Sequence, residues 1–64
     1  MITNAQEAKE RFVQEYGQFS VDEITAYGSE KQGWEIYLTD EVNKTEGFPT
    51  PLGSVQSDGT VTHY

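Results

Sequence analysis

The apolar residues of this chain change period at Gly17, and that change limits what the chain can fold into. Before it, Ala5, Ala8, Phe12, Val13 and Tyr16 recur at helical spacing over an arc of roughly 140°, a wide core-facing stripe. Glu7, Glu10, Arg11, Gln14 and Glu15 take the opposite side. After it the period is two. Trp34-Glu35-Ile36-Tyr37-Leu38-Thr39 sets Trp34, Ile36 and Leu38 on one side and Glu35, Tyr37 and Thr39 on the other. A one-sided helix and one-sided strands each need an apolar cover, and each supplies it to the other.

The ends of these elements are marked. Thr3-x-x-Gln6 or Asn4-x-x-Glu7 forms a capping box, and Glu7 and Arg11 stand four apart in the favourable order, worth about 0.2–0.5 kcal/mol. Gly17 is expected to close the helix in the left-handed conformation. Ser20 to Tyr27 reads as a strand stopped by Gly28; Val21 and Ile24, three apart, call for a bulge or a late start near Asp22. Residues 28–33 are a polar turn. Asp40 to Pro51 reads as a loop, long for so small a domain. Leu52 to Tyr64 reads as a hairpin. A two-residue turn Asp58-Gly59 would send Val55 and Val61 to opposite faces. A three-residue loop Ser57-Asp58-Gly59, with Gly59 left-handed, keeps both inside, a burial worth about 3 kcal/mol or more. The expectation is one α+β domain over residues 1–64: an N-terminal helix packed on a mainly antiparallel four-stranded sheet, in the order α-β-β-β-β.

With no cysteine there is neither a disulfide framework nor a thiolate zinc site, so the core alone must hold the fold. At 34% apolar and a mean hydropathy of -0.69 the chain is lean, but three Phe, one Trp and four Tyr each bring a large area to bury. No apolar run nears the ~20 residues of a membrane span. Met1-Ile2-Thr3-Asn4 lacks the basic start and apolar stretch of an export signal, from which a cytoplasmic location is expected. Four basic residues against eleven acidic ones give a net charge of -7, which argues against binding a nucleic acid backbone directly.

Chemistry-bearing patterns are few. His63, penultimate and the sole histidine, has no nucleophile elbow to serve and reads as a solvent-facing strand residue. Asp40-Glu41-Val42-Asn43-Lys44-Thr45-Glu46 lacks the ladder of a calcium loop and contains Lys44, so it reads as a solvated loop. The glycines never cluster into a phosphate cradle and serve as turn punctuation. Trp34 is assigned to the core. Phe48, before Pro49-Thr50-Pro51, either folds back over the core edge or projects as an anchor for a partner.

One surface remains. With Ile24, Ala26, Trp34, Ile36, Leu38 and Val61 facing the helix, the residues Glu23, Thr25, Tyr27, Glu35, Tyr37, Thr39, Thr60, Thr62 and Tyr64 face away, and no base joins them. It is either an ordinary wet sheet face, since Tyr and Thr are good strand formers, or a binding face. In the second case tyrosines give rigid contact area and carboxylates select a basic patch on another protein. The expected function is then a non-catalytic protein-binding or inhibitor module. It needs no metal or other cofactor and engages its partner through Glu23, Tyr27, Glu35, Tyr37, Phe48 and Tyr64. An acidic protein of this size can also imitate a nucleic acid backbone and block a nucleic-acid-binding enzyme; in size and charge, and in composition alone, it resembles phage-encoded inhibitors of bacterial defence systems.

The capped helix, then Gly33-Trp34-Glu35-Ile36-Tyr37-Leu38, then Ser57-Asp58-Gly59-Thr60-Val61, is similar to PepSY-like domains, which pair a helix with a small antiparallel sheet. That resemblance implies a regulatory or structural accessory domain working through its helix or the Phe48 loop. The second half also resembles a gas-vesicle accessory protein of the O type, with a Gly-Trp strand, a proline loop and an Asp-Gly turn near a tyrosine.

Overall fold

The computed structural model describes residues 1–44 and 49–64. Helix α1 (Ala5–Glu15) covers one face of four antiparallel strands: β1 (Ile24–Ser29), β2 (Gly33–Leu38), β3 (Gly53–Val55) and β4 (Val61–His63). The strands lie side by side in chain order, β1-β2-β3-β4, so each pairs with its neighbour in sequence. This is the α+β arrangement expected from the two periods.

Asn4 is the residue that caps α1: its Oδ1 accepts the Glu7 N–H at 2.9 Å. The Glu7 carboxylate reaches back one residue further and accepts from both the backbone N–H (2.8 Å) and the hydroxyl (2.6 Å) of Thr3. Those two bonds, the hydroxyl's first, hold the Glu7 carboxyl below its ordinary range. Glu7 therefore does not pair with Arg11. Arg11 instead meets Glu15 at 3.4 Å and donates from Nε to the Gly59 carbonyl at 3.1 Å, tying the helix to the last hairpin.

The helix ends differently from the expected glycine cap. Tyr16 is the C-cap, at φ -125° and ψ 81°, with its N–H bonded to the Phe12 carbonyl. Gly17 is not among the glycines of positive φ. Packing explains the difference, because the Tyr16 ring lies 5.2 Å from Phe12 and 4.9 Å from His63. A short 3₁₀ turn, Val21–Glu23, then precedes β1, with the Glu23 N–H bonded to the Ser20 carbonyl. It accounts for the three-residue spacing of Val21 and Ile24, and the strand starts at Ile24.

The expected loop after β2 opens with a six-residue helix, α2 (Thr39–Lys44), acidic in its first turn and basic in its last, as the helix dipole favours. Thr39 turns out of the strand with its hydroxyl 2.8 Å from that of Thr25. Phe48 lies outside the described residues.

The final hairpin has the three-residue loop. Val55 and Val61 are direct partners, the Gln56 N–H bonds the Thr60 carbonyl, and Gly59 has φ +95°. Asp58 Oδ1 accepts the Thr60 N–H at 2.9 Å, which with the Thr60 hydroxyl holds its carboxyl below the ordinary range.

Ala8 and Phe12 from α1, Ile24, Ala26, Trp34, Ile36 and Val55 from the sheet form the buried core. Phe12 lies directly under Gly53, where a Cβ would come within 2.9 Å of Phe12 Cε1 and closer still to the Thr62 carbonyl oxygen. Among the described residues no polar or charged side chain is buried, so the core is wholly apolar.

Candidate functional site

Strand alternation fixes what the sheet face opposite α1, left uncovered by the described residues, carries. Tyr27 of β1 is the cross-strand partner of Glu35 of β2, Glu35 of Ser54 of β3, and Ser54 of Thr62 of β4. One row thus runs Tyr27–Glu35–Ser54–Thr62 straight across the sheet. A second row begins Thr25–Tyr37. Tyr64 follows β4, its N–H bonded to the Leu52 carbonyl at 3.0 Å, so the ladder continues one residue past the strand and Tyr64 joins this face by alternation.

The rows are knit together by side chains. The Tyr27 and Tyr37 rings meet at 5.8 Å between centroids and 63°, an edge-to-face pair. Tyr37 donates its hydroxyl to Glu35 Oε2 at 3.1 Å. Partial burial, then this bond to a carboxylate, then the negative charge of Glu35, push the Tyr37 phenol up from its ordinary value. Tyr37 is thereby held in its neutral, donating form and aims the Glu35 carboxylate. Tyr27 and Tyr64, by contrast, stand 53% and 63% exposed.

Of the six residues picked from sequence, Tyr27, Glu35, Tyr37 and Tyr64 share this face. Glu23 does not. It ends the 3₁₀ turn before β1, with Oε1 accepting from the Ser20 hydroxyl at 3.1 Å, because Ser20-x-x-Glu23 closes a turn where a strand was expected. Phe48 is the sixth and is outside the described residues. Ser54 was missed. Its signal was available, since Val55 facing inward puts Ser54 outward.

No Lys or Arg occupies a strand: Lys9 and Arg11 lie on α1, Lys31 between β1 and β2, and Lys44 at the end of α2. Glu35 meets no cation among the described residues; its side chain has the Tyr37 hydroxyl as partner. His63 is exposed, yet its ring belongs to the helix side of the sheet, 4.9 Å from Tyr16 and 6.4 Å from Phe12. His63 is thus an exposed strand residue, as expected, whose ring side adjoins α1, and it sits on the opposite face from Glu35. Among the described residues, no three His, Asp or Glu side chains converge as a metal site would require. No helix among them is long and apolar enough to cross a membrane.

Comparison with known protein families, curated proteins and solved structures returns no match.

Proposed function

We propose that the protein is a small binding module whose uncovered sheet face engages a basic surface on a partner protein. The observation that carries this reading is the joining of Tyr27, Tyr37 and Tyr64 with an oriented Glu35 on a face whose strands hold no Lys or Arg. Tyrosine gives contact area at low entropic cost, and an excess of acid selects basic partners and excludes like-charged ones. A protein that binds nucleic acid has such a surface, and occupying it would make the module an inhibitor that mimics a phosphate backbone. Because long-range attraction between exposed charges is screened within ~8 Å at physiological ionic strength, binding should weaken as salt rises.

The test is affinity capture from the host, or from the phage-infected host, at low and high salt, with the wild type beside a Glu35→Ala/Tyr37→Ala variant. The face reading expects a salt-sensitive partner that the variant, with little change in melting temperature, no longer retains. Capture unchanged by the variant rules the face out. Loss on Phe48→Ala instead favours a PepSY-like accessory domain that works through its loop.

A further inference from the structure

We infer that the Tyr27–Glu35 pair takes an arginine guanidinium from the partner; this rests on the reading of the uncovered face as the binding surface. The two residues are direct cross-strand partners, which brings their Cβ atoms to about 5 Å on the same side of the sheet. Glu35 has one carboxylate oxygen engaged by the Tyr37 hydroxyl at 3.1 Å, which fixes the group without neutralising it. Tyr27 is steadied by its edge contact with Tyr37 and is still 53% exposed. An aromatic ring beside an oriented, unneutralised carboxylate matches one chemical group well. The guanidinium is planar, stacks on rings, donates in a fork to carboxylates and sheds water more readily than an ammonium. A lysine ammonium can sit over the ring or against the carboxylate, but lacks the flat fork that does both. Ser54 and Thr62 extend the row from Glu35 with short hydroxyl side chains, leaving a low shelf for the rest of a basic segment. A second copy of the chain is a poor occupant, since each copy carries -7 and brings no strand cation to meet Glu35.

The probes are hexa-arginine and hexa-lysine peptides, titrated at low salt into isotope-labelled protein while backbone amide shifts are followed. The arginine peptide should bind roughly three- to fivefold tighter, the scale of an exposed stacked cation, with shifts centred on Tyr27 and Glu35. Tyr27→Leu should bring the two affinities level, and Glu35→Gln should weaken both. Equal affinities with shifts on this face would overturn the arginine assignment and leave the binding face standing. Shifts confined to the helix side would overturn both.

Discussion

Replacing Gly53 by alanine should destabilise this domain strongly. Gly53 stands between Ile36 and His63 in the sheet, with Phe12 beneath it. An added Cβ would lie 2.9 Å from Phe12 Cε1 and nearer still to the Thr62 carbonyl oxygen. Neither neighbour can give cheaply. Phe12 is fully buried in the core, and the oxygen belongs to the backbone of β4. Overpacking of this kind costs about 2 kcal/mol, and in a domain this small that lowers the melting temperature by roughly 8–16 °C. Gly17→Ala is the control. Nothing lies within 4 Å of its Cβ position and its φ is not positive, so the change should be neutral or add about 0.4–1 kcal/mol by restricting the unfolded chain. Thermal and urea unfolding followed by Trp34 fluorescence would read both. A Gly53→Ala protein as stable as the wild type would refute the seating of Phe12 under β3.

Three further outcomes follow from single contacts. Asn4→Ala removes the acceptor for the Glu7 N–H and should cost about 1 kcal/mol in urea unfolding, with the total helical circular dichroism reduced. The Tyr37 phenol, raised by partial burial and then by Glu35, should titrate above the ordinary value of about 10 in ultraviolet absorbance, and Glu35→Gln should bring it part of the way down. A raised value in the fold means that the neutral phenol's contribution is full below the unfolded value and lost as pH rises through the folded one; Tyr37→Phe should flatten that part of the alkaline stability curve. Glu7 and Asp58 have lowered values, so their contributions are present above the ordinary carboxylate range and lost as pH falls through the folded values. A Glu7→Gln/Asp58→Asn variant should therefore show a shallower acid dependence of stability between neutral pH and the acid transition.

Where one requirement dominated, the sequence was readable. Val55 and Val61 both had to face the core, and only the three-residue loop allows it, so loop length and the left-handed Gly59 followed together. Trp34, Ile36 and Leu38 alternate without interruption, and their strand lies where the pattern put it. The misreadings occur where partners compete. Arg11 had a nearby carboxylate in Glu7, but Thr3 takes Glu7, and a carbonyl 48 residues away takes Arg11 Nε. Gly17 had the right residue type for a cap and the helix does stop just before it, but Gly17 is not left-handed, and the Tyr16 ring packs on Phe12 and His63 instead. Glu23 fitted strand alternation, but Ser20 offered it a closer partner in a local turn. The face survived these errors because alternation from a buried residue decides which way its neighbours point. Tyr27, Glu35 and Tyr37 each adjoin one. The edge-to-face contact of Tyr27 with Tyr37 and the aim of Glu35 depend on register and rotamer, which no pattern encodes.

The most direct measurement of the central claim is a tyrosine nitration footprint of the protein alone and bound to its captured partner. Tyr27 and Tyr64, both exposed on the uncovered face, should react in the free protein and be protected in the complex, while Tyr16 on the helix side reacts equally in both. Equal nitration of Tyr27 and Tyr64 in the free and bound protein would contradict the account.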